Sequence, residues 1–311
     1  MRASLQTTRR LMGCVAAGFA LATLTACSGG SGGPLQPLGR AFAENAKTSA
    51  VVYVSKESDN AIEVFRLDGK RLRTITTGVN YPQGMYVDAQ GTLYVANRGS
   101  SDVLEFQRGA ASPFKRLTDG KNQPEDVTVC PNGNVYVANI LGSGGGSANI
   151  AVYAHRSRHP TGALTYAGGF FFFLACDARG NLFASIVLGT IGTVLAFPHA
   201  HQKGAAMLPI FFGGNPYGIA ADAAGNLLVA NEGGGVEEFT ESGQPTGLRL
   251  TSGQFDQIAL GSDGTLLLGA TAKGATAYTF PGGVLDHTYR TGGGPQSAWR
   301  STRERTREPH N

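Results

Sequence analysis

Charge is scarce in this sequence: 15% of its 311 residues are Asp, Glu, Lys or Arg. A phosphate-tracking surface needs clustered cations, and the chain has none in its body. Arg2, Arg9 and Arg10 stand in an N-terminal leader, and Arg300, Arg303, Arg305 and Arg307 in a C-terminal tail, so the formal net charge of +4 leaves the region between close to neutral. Nucleic acid is not an expected partner. No G-x-S-x-G sequence lies in the body of the chain, residues 51–299, for a serine nucleophile, and no Gly-rich run lies between a strand and a helix to hold a dinucleotide. His155, His159, His199 and His201 follow strand ends without a cysteine or carboxylate at zinc-site spacing. The longest apolar run, Leu11 to Ala26, is too short and too rich in small residues for a membrane span. Cysteine is nearly missing as well. Of four, Cys14 and Cys27 belong to the leader; Cys130 and Cys176 fall near the ends of successive inner strands, one register apart, and are expected as two separate buried thiols.

Glycine is abundant: 45 residues. Many tight turns and few helices follow, and the turns keep a beat. The stretch YPQGMYVDAQGTLYVANRGSSDVLEF, Tyr81 to Phe106, returns in altered form along the chain. A proline-led apolar strand, a turn closing on Gly91, a second apolar strand ending at Ala96 and Asn97, and a third ending at Phe106 form a meander with two apolar faces. Such a unit cannot bury itself alone and stacks on its own copies. Six third strands end in an aromatic residue: Phe65, Phe106, Tyr153, Phe197, Phe239 and Phe280, spaced by 41, 47, 44, 42 and 41 residues. That spacing is one four-stranded propeller blade. The expected fold is all-β, a six-bladed propeller over residues 51–299.

Gly91, Gly133, Gly180, Gly225 and Gly264 close equivalent turns, where positive φ is expected. Ser55, Ala96, Ala138, Ser185, Ala230 and Gly269 share one position in the second strands, expected as a close-packed ring. The first copy lacks its inner strand. Gly294 to Trp299 matches Tyr81 to Tyr86 at its proline and glutamine, so the C-terminal strand is expected to close blade one and remove the open edges.

Residues 1–26 read as an export signal with a basic start and an apolar middle. Their end, Leu24-Thr25-Ala26-Cys27, resembles the lipobox of bacterial lipoproteins, in which the cysteine is lipidated. The resemblance implies anchoring to a membrane of the cell envelope through Cys27, with Ser28 directing the chain to an outer membrane where the host has one. Residues 27–50, rich in Gly, Ser and Pro, read as a flexible tether, and residues 300–311 as a disordered tail.

At the level of PxG(I/M)xVDxxG(N/T)(L/I)YVAN, the repeat resembles the NHL type, with relatives among streptogramin-lyase-like and gluconolactonase-like propellers. The resemblance implies the fold; the same fold carries lyases, lactonases and binding scaffolds.

Loops entering the inner strands and leaving the second strands open on one face of such a disc. The first set gives Gln83, Glu125, Phe172, Tyr217, Asp256 and Gln296. The second gives Lys56, Asn97, Asn139, Ile186, Asn231 and Ala270. These define an expected channel mouth for a small-molecule, glycan or protein ligand, with Phe170 to Phe173 as an apolar wall or interblade packing. Glu125 and Asp256 would face one another across the axis, near Asp126, Asn139 and Asn231. These five oxygen donors are the expected set for Ca2+ or another divalent cation, were one bound. Two readings stay open: a binding scaffold, and a metal-dependent hydrolase or lyase like those the resemblance names. In the scaffold reading the same side chains cap strand ends.

Overall fold

The computed structural model describes residues 50–212, 216–231, 234–250, 255–261, 264–271 and 274–291. These form six antiparallel sheets, five of four strands and one of three, each hydrogen-bonded in chain order. The chain is a six-bladed β-propeller. The three-stranded sheet is blade one, Val51–Lys56, Ala61–Arg66 and Arg71–Ile75. Its expected fourth strand, Pro295–Trp299, lies outside the described residues, as do the expected lipidation site Cys27, residues 27–49 of the expected tether and the expected tail.

The second strands are buried because each is covered by a neighbouring blade on either side. Val95 and Ala96 of blade two, Val137 and Ala138 of blade three, and Leu228 to Ala230 of blade five are all inaccessible to solvent. Of the equivalent small residues, Ala96, Ala138, Ser185, Ala230 and Gly269 are buried, and Ser55 is half-buried. Ser185 Oγ takes a hydrogen bond from Phe173 N at 3.0 Å, and a side chain on Gly269 would run into the Phe255 ring at 2.4 Å.

The turns explain the chain's many Asp-x-x-Gly sequences. Gly91 has φ 82° and donates its N–H to Asp88 O, while Asp88 Oδ1 accepts from Gln90 N and Thr92 N. Asp177 and Asp222 repeat this arrangement. A residue bearing a Cβ is strained at that φ, which is why glycine closes each turn.

Cys130 and Cys176 are not separate thiols. They form a disulfide between blades three and four, with Cα atoms 5.4 Å apart. The one-residue offset in register does not keep them apart because Cys130 has left its strand, Gln123–Val129, and heads the following turn, while Cys176 ends the strand Gly169–Cys176. The bridge is packed by Tyr136, Phe171, Leu174 and Phe197.

The inner strands are irregular where they begin. Pro82 pairs with Asn97 but Met85 with Val95; Phe171 pairs with Ile186 but Leu174 with Ala184; Pro216 pairs with Asn231 but Ile219 with Val229. Each has one residue more than its partner. In blade three, Pro124 pairs with Asn139 and Asp126 with Ala138, leaving Glu125 as the extra residue. A bulge re-aims the side chains beside it. Here the same bulge recurs in four blades, at Gln83–Gly84, Glu125, Phe172–Phe173 and Tyr217–Gly218.

Candidate functional site

Those bulges build the mouth. Gln83 of blade two, Glu125 of blade three and Phe172 and Phe173 of blade four line one cavity, joined by Ser55 and Glu57 of blade one and Asp256 and Gln257 of blade six. Its volume is about 50 Å³, room for a few waters or a small headgroup. Glu125 and Asp256 both reach it, and so does Ala270.

Most of the second expected set turns elsewhere. Asn97 is fully buried and clamps the loop arriving from blade one: its Oδ1 accepts from Asn80 N at 2.6 Å, and its Nδ2 donates to Gly78 O and Asp102 Oδ1. Asn139 does the same work in blade three, donating to Asn149 Oδ1 at 3.0 Å and toward Asp119. Ile186 sits in the core between blades three and four, and Lys56 pairs with Asp59 and Glu63. Asn97 and Asn139 therefore hold interblade loops and do not line the cavity. Tyr217 and Asn231 lie in described strands, Pro216–Ala221 and Leu227–Asn231, but their side chains are outside the described set. Gln296 is also outside it.

Asp126 is buried below the mouth as a link between blades. Its Oδ2 accepts from Leu174 N at 2.8 Å and its Oδ1 from Gln257 Nε2 at 3.1 Å. Gly84 makes this possible, because a Cβ there would fall 2.0 Å from Asp126 Oδ1. The four expected metal donors whose side chains are described are thus divided: Glu125 and Asp256 reach the mouth, while Asp126 and Asn139 make contacts elsewhere. Among the described residues no three His, Cys, Asp or Glu side chains come close enough together to hold a metal ion, and those described do not fit a calcium cage.

Two charged residues at the mouth fall one position beyond those that the repeat picked out. Glu57 follows Lys56, and Arg98 follows Asn97, opening a short 3-10 turn over Arg98–Ser100. Arg98 donates to Glu125 Oε2 and to Gln123 Oε1, both at 3.0 Å. Glu57 bonds the Tyr81 hydroxyl, which raises the tyrosine's pKa. A charged residue just past each apolar strand was the available signal.

Burial pushes the Glu125 carboxyl up to about 7; the Arg98 guanidinium opposes this and the negative Glu57 adds to it. Burial and Glu57 likewise lift Asp256 to about 6. Asp126 is raised well above its ordinary value, by burial first. The sign for stability follows. Between its ordinary 4.5 and about 7, Glu125 binds a proton more tightly folded than unfolded, so its contribution is greatest in acid and is lost as pH rises through that window. Glu125 alone should lower stability by up to about 3 kcal/mol across it. Urea unfolding at pH 4.5 and 7.5 checks this: Glu125→Gln should flatten the slope, and equal slopes in variant and wild type would refute the assignment.

No family model and no curated protein matches the sequence. Solved structures do. A candidate gluconolactonase superposes with TM-score 0.61 at 18% identity, covering 76% of this chain and 86% of its own. Virginiamycin B lyase from Staphylococcus aureus gives TM-score 0.55 at 15% identity over 76% and 80% of the two chains. A chain of a nidogen/laminin complex gives 0.61 at 13% identity over 78% and 93%. A candidate lactonase, a lyase and a chain of a nidogen/laminin complex share this architecture, so at these identities the likeness establishes the fold alone: the chain is a six-bladed β-propeller.

Proposed function

We propose that this propeller is an exported, membrane-tethered binding module that takes a small ligand at its top-face mouth. One observation carries the reading. Residues from five blades converge on one cavity, and Gln83, which lines it and is 8% exposed, has a buried amide Nε2 without a hydrogen-bond partner among the described residues. Leaving such a donor unpaired costs about 1–3 kcal/mol, and a ligand acceptor would recover it. The hydrolase or lyase reading has less support: Glu125 is engaged by Arg98, and Asp126 by Leu174 N and Gln257.

Ligand-observed NMR with a fragment mixture of sugars, amines and carboxylic acids tests the binding reading. Hits should appear with the wild type and weaken with Gln83→Leu and Phe172→Ala. Hits indifferent to both changes would place binding elsewhere, and a complete lack of hits would remove the reading. Metal analysis of the purified chain should find no stoichiometric divalent ion; a tightly held ion lost in Glu125→Ala and Asp256→Ala would restore the hydrolase.

Export is supported by the Cys130–Cys176 bridge, since disulfides persist in oxidising compartments. Tethering rests on Cys27. Cys27→Ser should move the protein from the membrane fraction to the soluble one, and unchanged partition would refute lipidation there.

A further inference from the structure

The mouth carries three carboxylates, Glu57, Glu125 and Asp256, from blades one, three and six, against one guanidinium, Arg98. When all are ionised the excess is two negative charges (3 − 1). Arg98 is already committed to Glu125 and Gln123. An anionic ligand would meet that excess directly, and a neutral one would leave it uncompensated.

Three further features narrow the ligand. Gln83 lines the cavity, and its Nε2, buried and without a partner among the described residues, asks for an acceptor oxygen. The cavity, about 50 Å³, admits a headgroup and leaves the rest of a ligand outside. Outside, blade four offers apolar surface. It has the longest inner strand, Gly169–Cys176, and its mouth-side ends carry Phe170, Ile191 and Phe211 at 44, 50 and 62% exposure. Phe170 pairs with Val187, Leu188 with Ile191, and Gly192 bridges Phe212, so these three residues lie at one end of one sheet, on or beside its inner, third and outer segments.

Resting on the reading of the mouth as a ligand site, we propose that its ligand is an organic ammonium ion with a carbonyl oxygen beside the charged nitrogen and an apolar stem, the chemistry of an α-aminoacyl group. The ammonium donates to the carboxylates of Glu125 and Asp256, the carbonyl accepts from Gln83 Nε2, and the stem lies along Phe172 toward blade four. Burial, and after it the negative Glu57, disfavour the ionised carboxylates, and a bound cation offsets both. Binding near pH 6.5 therefore releases protons from the carboxyls.

Calorimetry at pH 6.5 with L-phenylalaninamide, phenethylamine, N-acetyl-L-phenylalaninamide and methyl glucoside tests this. Phenylalaninamide should bind, with a heat that depends on the buffer's ionisation enthalpy. Phenethylamine, which lacks the carbonyl, should bind about tenfold more weakly to the wild type and no more weakly than phenylalaninamide to Gln83→Leu. The acetylated compound, which lacks the charge, should not bind measurably. The near-isosteric Glu125→Gln and Asp256→Asn, checked for native circular dichroism, should each weaken phenylalaninamide about tenfold. Equal binding of charged and acetylated compounds would overturn the proposal. So would binding of the glucoside without the amines, though the mouth would then remain a ligand site. Silence from all four probes overturns the ammonium proposal; joined to a fragment panel without hits, it also removes the binding reading.

Discussion

Replacing both Cys130 and Cys176 by alanine is expected to lower the unfolding free energy by about 4 kcal/mol. The bond closes a loop with a sequence separation of 46 residues, and fixing a loop of that length in the unfolded chain removes entropy worth about 4 kcal/mol at 25 °C. For a domain of this size the thermal midpoint should fall by roughly 10 °C. Reducing the wild type should reproduce the effect without altering the Tyr136, Phe171 and Leu174 packing around the sulfurs. Ligand binding should be spared, because the bridge lies past the far end of the inner strand that starts with Gln123, Pro124 and Glu125. Denaturant titration of the oxidised, reduced and double-alanine forms decides the matter; a loss under about 1 kcal/mol would overturn the loop-entropy account.

Gly218→Ala should cost at least about 3 kcal/mol and is a candidate to prevent folding altogether. A Cβ at Gly218 would fall 2.3 Å from Ile258 N and 2.7 Å from Gln257 Cα. Both atoms are backbone of the next blade, so no rotamer change relieves the contact. The inner strands of blades five and six would have to separate, and Gln257 would leave Asp126. Gly162→Ala, in the outer strand of blade three, meets nothing within 4 Å and should change stability by less than about 0.5 kcal/mol. Parallel unfolding curves give the comparison. If the two substitutions cost the same, close approach of the inner strands is not what requires Gly218.

The blade pattern was legible because it is written in local terms. Apolar runs such as LYVA and VYVA mark doubly covered strands, and Gly91 and its equivalents mark turns that only positive φ can close. The third strands fall where the aromatic beat put them, from Ala61–Arg66 to Gly274–Thr279. The outer strands carry no such beat: that of blade four is only Ala206–Met207, and Phe211 lies beyond it, exposed.

The site was legible in outline. Gln83, Glu125, Phe172 and Asp256 come from different blades to one cavity, as loops on one face of a disc must. Asn97 and Asn139 were misread because an amide at a strand end looks the same in sequence whether it faces a ligand or an incoming loop. Asn97 has Asn80 and Gly78 to bind, both brought to it by the connection from blade one.

By itself the sequence determined the six-fold β repeat, its turns and the face on which the loops gather, since backbone propensity and strand burial are set by neighbouring residues. Only the tertiary structure decided where the side chains point. The recurrent bulge puts Glu125 into the mouth while Asp126, next to it, reaches Leu174 and Gln257. The turn carries Cys130 to Cys176. Both results depend on atoms from another blade, dozens of residues away in the chain, and no local pattern encodes the distance across that gap.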